Sequence, residues 1–487
     1  MKKSIAKNYI YNLIYQMLTI VLPLITTPYL SRVLGAENIG IYGYTLSIVT
    51  YFVLFGTLGI AMYGQREIAY VQNNQTKQSK TFWEIVITRF ITLTIASVTF
   101  YITFCIRGQY TTYYTILLLE LLANALDISW YYQGIEDFGK TVIRNLVVKI
   151  LSLVCIFVFV KTQADLWKYM LIYVLANALG NATMWLYLPK MLQKISLKTL
   201  EFKKHIKPVL SLFVPQIATQ IYVVLDKTMI GNITNNMSDV GFYEQAQKIV
   251  KTAMLVVTAL GTVMNSRIAN AFAENKKEDV KKYLMQAFNI VWMLGIPITL
   301  GIMAVSSNLV PWFYGEGYEP VIQLLIATSP ILLAIGLNNV TGIQYLIQTK
   351  QQKNYTISVT IGAIVNVIFN FILINLIGTV GAAISSVLAE FTILGVHFIY
   401  MRKDIKILDV LKLSIKYLIS GLIMYVIVLN ISKLISPSIL NTFILIAIGA
   451  IIYFIILLIL KDKFLNDIIN QVVVTVKNKL GKGTVNE

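Results

Sequence analysis

Three ionisable residues share one face of a strongly apolar segment. Glu244, Lys248 and Lys251 are separated by four and three residues, a spacing that places all three side chains on one side of an α-helix. A charge inside a membrane-crossing helix costs at least about 2.5 kcal/mol, so it usually faces water, a ligand or a partner charge. Lysine ammonium groups on such a face suit a phosphate-bearing ligand. An internal Glu244–Lys248 ion pair is the alternative, but it does not account for Lys251.

Two further bases occupy matching places near the ends of apolar segments. Lys227 follows Asp226 directly, so the two side chains point in different directions, and Asp226 becomes a candidate partner for a neighbouring base. Arg32 holds the corresponding place in an earlier segment. We expect a cationic cluster in a substrate cleft, formed by Arg32, Lys227, Lys248 and Lys251.

Acidic residues inside apolar segments are candidates for ion coupling. Glu120 and Asp127 are two helical turns apart, and Glu390 lies in a later segment. Such acids can exchange protons or bind sodium, although they can equally be salt-bridge partners. Arg89 is a weaker candidate for the cationic cluster, and Glu84 is its expected partner.

A third group of side chains is polar or aromatic and could line the same cleft. We expect five such residues to face it: Tyr44, Ser47, Tyr51, Gln220 and Gln245.

The sequence contains no arrangement typical of catalysis or of a metal site. His205 and His397 are isolated in the sequence, and the HExxH, GxSxG and phosphate-loop patterns are absent. Cys105 and Cys155 lie in apolar segments without metal-ligand or CxxC spacing. We therefore predict a protein that is not an enzyme and uses no cofactor, with coupling to H+ or Na+ as a possibility.

The composition places these residues in a membrane protein. Of 487 residues, 57% are hydrophobic and only 13% are charged, about half the charged fraction of a soluble chain. Apolar runs near the roughly twenty residues that cross a bilayer predict an all-α integral membrane fold of about fourteen helices. The predicted starts are near Tyr9, Ile39, Phe82, Thr112, Val142, Leu166, Pro208, Val240, Ala287, Val321, Thr356, Val380, Leu413 and Leu440.

Basic residues predict the orientation of these helices. With the amino terminus inside, most of the 41 Lys and Arg residues fall on cytoplasmic segments. The bases on outer loops are Arg32, Arg107, Lys161 and Lys433. We expect both termini in the cytoplasm, with membrane lipids around the chain. The net charge of +18 follows this rule, and no basic polar domain suggests nucleic acid as a partner.

A sequence pattern near the first helix recurs about two hundred residues later. In each copy a base and a glycine end one helix, a hydrophobic-Gly-hydrophobic-Tyr step opens the next, and Leu-Gly follows. The two copies are Tyr29–Gly35, Ile39–Tyr42 and Leu58–Gly59, and then Val224–Gly231, Val240–Tyr243 and Leu260–Gly261. Each copy covers about six helices, so we expect two pseudo-symmetric lobes around a central cleft.

The repeat gives the expected domain organisation. Residues 1–200 form an N-terminal six-helix lobe and residues 201–405 a second six-helix lobe. Residues 406–461 supply two additional transmembrane helices, and residues 462–487 form a cytoplasmic tail that mixes apolar and basic residues.

Five segments carry a resemblance to a known family: Pro28–Gly35, Asp127–Phe138, Asp226–Val250, Gly342–Leu346 and Gly381–Glu390. In their order and spacing the chain resembles the Wzx polysaccharide repeat-unit flippases, of O-antigen and capsule type, within the multidrug/oligosaccharidyl-lipid/polysaccharide exporter superfamily. The resemblance implies two six-helix lobes, a cation-lined cleft, and alternating access that moves an undecaprenyl-pyrophosphate-linked oligosaccharide. For such a cargo, Tyr44, Ser47, Tyr51, Gln220 and Gln245 are the expected glycan contacts, because tyrosine rings stack on sugar rings and hydroxyl and amide groups form hydrogen bonds with them. Other polysaccharide assembly proteins are possible partners.

Two other transport functions stay open. A teichoic-acid precursor flippase of the same family handles the same lipid-pyrophosphate group, and the sequence does not separate it from the first interpretation. A multidrug antiporter usually needs an acidic cleft and commonly stops at twelve helices. Many drug exporters carry an acid on the first helix, whereas this helix offers Asn8, Asn12 and Gln16.

Overall fold

The computed structural model describes residues 5–258 and 261–481, with side chains from residue 21 onward except at scattered positions within helices. Throughout these residues every regular element is a helix. Each of the fourteen predicted starts lies inside one of them. Eight segments in the described part of the chain are long and apolar enough to cross a membrane. The predicted all-α integral membrane fold is therefore confirmed.

The helices divide between two compact units. The first unit comprises residues 1–245 and 369–382, and the second comprises residues 246–368 and 383–487. The helices that lie wholly in the first unit are α1 Ile5–Thr57, α2 Ile60–Val71, α3 Gln75–Phe100, α4 Thr111–Ala125, α5 Ser129–Gly134, α6 Phe138–Phe159, α7 Leu166–Trp185 and α8 Ile206–Thr234. Those wholly in the second are α10 Gly261–Ala273, α11 Lys277–Tyr314, α12 Pro320–Thr328, α13 Ile331–Asn338, α16 Ile407–Leu434, α17 Ile439–Ile459 and α18 Lys463–Gly481.

Three helices contribute residues to both units, namely α9 Met237–Thr258, α14 Gln352–Ile377 and α15 Thr379–Met401. Short irregular helices complete the fold: the π-helical segments Tyr101–Cys105 and Asn339–Ile347, and the 3-10 turns Gln163–Asp165, Leu188–Lys190, Leu197–Thr199 and Phe202–His205. The lobe boundaries predicted at residues 200 and 405 were placed from the sequence repeat, whereas the two compact units are defined by packing. The lobe boundaries therefore stay a prediction.

Two glycines of the first copy, Gly35 and Gly59, mark breaks in the helices. Gly35 has φ 76° and ψ 168°, which divides α1 into two helical parts, the second of which is the predicted second span. Leu58 and Gly59 both have positive φ, and α2 begins immediately after them. In the second copy Leu260 lies outside the described residues, and Gly261 is helical, within α10. The break at the Leu-Gly step is therefore described in the first copy.

Aromatic side chains form the core of the first unit around α2, α3 and α5. Phe82 stacks on Trp130 with ring centroids 5.6 Å apart and meets Tyr131 edge-on. Gly64 allows this packing, because a Cβ there would stand 2.5 Å from the Trp130 ring. All three aromatic residues are buried completely.

The two additional helices α16 and α17 pack within the second unit. A Cβ on Gly421 of α16 would stand 2.5 Å from Ile296 of α11, so these helices approach closely. Tyr453 of α17 donates a hydrogen bond to the Met293 carbonyl of α11 at 2.9 Å. The predicted tail is helical over α18, which begins where the Asp462 carboxylate accepts a hydrogen bond from the Leu465 amide at 2.9 Å.

Candidate functional site

Two glycines of the repeat bring α1 and α9 into backbone contact in the first unit. A Cβ on Gly40 would lie 1.6 Å from the Met237 carbonyl oxygen, and one on Gly241 would lie 2.0 Å from the Ala36 carbonyl oxygen. Only glycine permits this approach, since no backbone atom can yield by so much. These are the glycines of the Ile39–Tyr42 and Val240–Tyr243 steps, so the equivalent positions of the two copies meet each other.

Polar side chains line the second half of α1 where it runs beside α8. The Tyr44 hydroxyl donates to the Asn232 amide oxygen at 2.6 Å. One turn along, the Ser47 hydroxyl lies 2.8 Å from the Thr228 hydroxyl, and the Tyr51 hydroxyl lies 3.3 Å from that same atom. Three of the residues proposed for sugar contacts thus lie along one face of α1. We call Tyr44, Ser47, Tyr51, Thr228 and Asn232 the hydroxyl ladder.

An ion pair lies beside the hydroxyl ladder. The Lys227 ammonium of α8 is 3.0 Å from a Glu244 carboxylate oxygen of α9, and each side chain keeps slightly under a fifth of its surface exposed. Gly43 of α1 faces this pair, with Lys227 and Glu244 atoms just under 4 Å from where its Cβ would be. Glu244 of α9 therefore pairs with Lys227 of α8. This pair was not predicted from the sequence, where a Glu244–Lys248 pair was the alternative.

Asp226 anchors a buried polar contact next to this ion pair. Its carboxylate accepts hydrogen bonds from the Tyr243 hydroxyl at 2.5 Å and from the Asn370 amide at 2.7 Å, and the residue is 5% exposed. Asp226 and Lys227 thus have different partners, although both contact α9, through Tyr243 and Glu244. The assignment of Lys227 to the cleft stays a prediction. Asp226 accordingly fixes α8 and leaves Lys227 on the more exposed side.

The remaining residues proposed for substrate binding occupy varied positions. Arg32 is exposed and donates to the Pro28 carbonyl of its own helix at 3.1 Å. Gln245 is completely buried and donates to the Ser31 hydroxyl at 3.1 Å. Lys248 is half-buried and Lys251 is exposed, both on α9 in the second unit. The side chain of Gln220 lies outside the described residues. The four-base cluster stays a prediction.

Glu120 on α4 and Asp127, which lies between α4 and α5, have different environments. The Glu120 carboxylate accepts hydrogen bonds from Asn124 and Asn177 at 3.2 Å each. Asp127 forms an ion pair with Arg89 at 3.4 Å and accepts a hydrogen bond from the Ser129 amide at the start of α5. Arg89 thus pairs with Asp127, and the expected Arg89–Glu84 pair is wrong. Glu120 is held only by neutral groups in these contacts, whereas Asp127 has a clear structural partner.

A cluster that sequence reasoning missed surrounds Glu84 on α3. This carboxylate is completely buried and contacts His205 at 2.9 Å, the Lys204 ammonium at 2.9 Å and the Glu201 amide at 2.8 Å. The other His205 ring nitrogen lies 2.7 Å from the Tyr63 hydroxyl of α2. His205, which looked isolated in the sequence, therefore ties the segment before α8 to α2 and α3. We call these contacts the Glu84 cluster.

The charge of Lys204 is stabilised by this cluster. Partial burial by itself lowers the pKa of the ammonium, but hydrogen bonds and charges of Glu84 and Glu201 outweigh it, so the pKa of Lys204 is raised above its usual value. The folded pKa being the higher one, this contribution to stability is present at neutral pH and is lost only in strongly alkaline solution.

A further polar group lies in the second unit. Glu390 of α15 is buried and accepts a hydrogen bond from the Asn338 amide at 2.7 Å. Two turns later His397, also buried, lies 2.8 Å from the Thr341 hydroxyl and stacks on the Tyr355 ring. Among the residues that the structure describes, no three His, Cys, Asp or Glu residues come together as a metal site.

Comparison with known proteins gives matches over most of the chain. A family model described as "Polysaccharide biosynthesis protein" matches residues 5–272, and one described as MatE matches residues 211–372. The putative O-antigen transporter of Escherichia coli (strain K12) is 22% identical over 408 residues, covering 83% of this chain and 98% of that protein. The capsular polysaccharide biosynthesis protein CapF of Staphylococcus aureus is 21% identical over 408 residues, covering 82% and 99%.

A solved structure shares the fold. The lipid II flippase MurJ in an inward closed conformation aligns with a TM-score of 0.71, covering 95% of this chain and 100% of that chain at 16% identity. At this identity the likeness concerns the arrangement of helices.

Proposed function

Because the chain belongs to the family of polysaccharide biosynthesis proteins, we propose that it is a flippase that moves a lipid-linked oligosaccharide across a membrane for surface polysaccharide synthesis. The family match over residues 5–272 carries this proposal, and relatives named as an O-antigen transporter and a capsule biosynthesis protein extend it. The resemblance found from the sequence is thereby confirmed. The protein is a transporter, not an enzyme.

The finer proposal concerns the cargo and the cell. The carrier is undecaprenyl pyrophosphate, and the membrane is the bacterial cytoplasmic membrane with both termini in the cytoplasm. Transport proceeds by alternating access, and other polysaccharide assembly proteins act with the flippase. Movement of H+ or Na+ drives it, with Glu120 and Glu390 as the candidate acids. Asp127 is the weaker candidate because Arg89 already pairs with it.

The first unit offers groups that fit two parts of this cargo. The hydroxyl ladder presents phenol, hydroxyl and amide groups at distances suited to exchanging their mutual hydrogen bonds for hydrogen bonds to a glycan. Lys227 beside it is partly exposed and paired with Glu244, so an arriving pyrophosphate can compete for the ammonium. The polyprenyl tail needs no such groups, since it stays in the lipid.

Two other transport functions remain candidates. A teichoic-acid precursor carries the same lipid-pyrophosphate group and would use the same residues. The MatE match over residues 211–372 favours a multidrug antiporter as a second function class, but Lys227, Lys248 and Lys251 within that stretch suit an anion better than a cationic drug.

Deletion of the gene tests the proposal directly. We expect a polyprenyl-pyrophosphate oligosaccharide to accumulate on the cytoplasmic side, and mass spectrometry of the extracted lipid identifies its sugars. Complementation by the wild-type protein removes it, whereas Lys248→Glu or Lys251→Glu, expressed at the wild-type level, does not. A deletion strain that accumulates no lipid-linked sugar but becomes sensitive to cationic drugs would support the antiporter instead.

A further inference from the structure

A small pocket lies between α6 and α7 in the first unit. It has a volume of about 150 Å³, and its lining includes Arg144, Asn145, Lys149, Asn177 and Gly180. Among the described side chains that line it, two are basic and none is acidic. These residues play no part in the hydroxyl ladder or the predicted cationic cluster.

The polar side chains of the pocket are oriented by contacts behind it. The Arg144 guanidinium donates a hydrogen bond to the neutral Asn181 amide, which in turn donates to the Ala123 carbonyl of α4 at 2.7 Å. The Asn177 amide donates to Glu120 at 3.2 Å. Contacts with α4, direct for Asn177 and through Asn181 for Arg144, thus fix the positions of these two lining side chains, as expected for a preformed binding site.

Close packing of the two helices shapes the floor of this pocket. A Cβ on Gly180 would stand 2.7 Å from Val148 and 3.4 Å from the Arg144 Cδ. Glycine at this position therefore lets α7 approach α6 while the guanidinium stays beside the space between them. The pocket is built by the backbone as well as by its charges.

The borders of the pocket are apolar and exposed. Four apolar residues close in sequence to the lining residues are each at least 40% exposed: Val147 and Leu151 on α6, and Leu175 and Leu179 on α7. A cationic floor between apolar borders fits an amphiphile that carries a phosphate on a hydrocarbon chain better than it fits free phosphate.

The length of α6 suits a membrane crossing. Its 22 residues extend about 33 Å, close to the thickness of the hydrocarbon core of a bilayer. Arg144 and Lys149 both lie after Val142, where the fifth span is predicted to start. A charge within a span usually faces water, a ligand or a partner charge, so the two bases suit a phosphate-bearing ligand between α6 and α7.

We propose that the pocket between α6 and α7 binds the phosphate group of the polyprenyl carrier during translocation, with the prenyl chain against the apolar borders. This inference rests on the proposed flippase function. Arg144 donates to the phosphate oxygens through its planar guanidinium, and Lys149 supplies the second charge from one and a half turns along α6. The site lies within one lobe, separate from the Lys227 position.

Binding to the purified full-length protein in detergent tests the proposal. The probe is undecaprenyl phosphate, and the variant is Arg144→Gln/Lys149→Gln. We expect the affinity of this variant for undecaprenyl phosphate to be at least tenfold lower than that of the wild type, as measured by native mass spectrometry. The matched control Arg107→Gln/Lys161→Gln removes two bases from exposed positions of the same unit and should bind as the wild type does. Ala176→Leu fills the pocket without changing charge and should weaken binding similarly.

Two results would overturn the inference: undiminished binding by both pocket variants, or equal competition by phosphatidylglycerol, which would indicate a general lipid site. These outcomes are separate from failure of the proposed function. The binding assay involves no transport, whereas the flippase proposal depends on the lipid that accumulates in the deletion strain.

Discussion

The Lys227–Glu244 ion pair lies where a structural contact and a substrate contact compete for one ammonium. Both side chains are mostly buried, so removing either leaves the other charge poorly compensated. A purely structural pair requires only that the charges be opposite. A substrate-binding lysine requires that the positive charge remain on α8.

Exchanging the two charges separates these roles. We expect Lys227→Glu and Glu244→Lys each to lower thermal stability, and the double exchange Lys227→Glu/Glu244→Lys to recover most of it, with a coupling energy of about 1 kcal/mol in a double-mutant cycle. Export should stay impaired in the double variant, because the ammonium then projects from α9. Full recovery of export together with stability would make the pair structural only.

The Glu84 cluster gives a prediction about stability. Glu84→Ala should cost about 1–3 kcal/mol, because it leaves the buried His205 and the Glu201 amide without their hydrogen-bond partner, while the half-exposed Lys204 keeps Glu201. Thermal unfolding of the detergent-solubilised protein measures the loss, and trypsin should cut more rapidly near Lys203 and Lys204. The control is Glu201→Gln, whose side chain is 66% exposed and should change stability little. If the two substitutions lowered thermal stability equally, the buried Glu84 carboxylate would contribute no more to stability than the exposed Glu201 carboxylate.

At the scale of helices, the contact between α1 and α9 depends on two glycines. Gly241→Ala should separate these helices, since its Cβ would stand 2.0 Å from a carbonyl oxygen, and should reduce both stability and export. Gly301→Ala and Gly395→Ala are matched controls in α11 and α15, where a Cβ meets no atom within 4 Å. They should be neutral or stabilising by up to about 1 kcal/mol. Thermal unfolding of all three variants checks the difference, and a tolerated Gly241→Ala would refute the packing argument.

Hydrophobic runs were sufficient to locate most of the long helices. All fourteen predicted starts lie in helices, and the Gly35 and Leu58–Gly59 breaks coincide with the repeated motif. Interruptions inside a span were missed, such as the break between α12 and α13 at Pro330, because hydropathy continues across them. A run of apolar residues indicates that a segment crosses the bilayer, but it does not indicate where the helix breaks within that segment.

Side-chain partners were much harder to predict. Tyr44, Ser47 and Tyr51 share a face of α1 as their spacing suggested, but their partners on α8 are about 180 residues away in sequence. The partners of Glu84 and Arg89 were missed or wrong for the same reason. Intrahelical spacing indicates which residues share a face, whereas the neighbouring face depends on how distant helices pack.

The whole molecule makes a prediction about topology. With an even number of crossings and a cytoplasmic amino terminus, the loops alternate, and one extra or missing span would invert every later loop. Single cysteines placed after replacing Cys105 and Cys155 report this through a membrane-impermeant maleimide on intact spheroplasts. We expect labelling from outside at positions 108, 316 and 436, and labelling at positions 73, 278 and 403 only after permeabilisation; all six are exposed in the structure. Agreement at 108 with reversal at 316 would show that a predicted crossing between these two positions does not span the membrane. Reversal at 278 as well would place the missing crossing before position 278, among the helices up to and including α9, which carries Lys248 and Lys251.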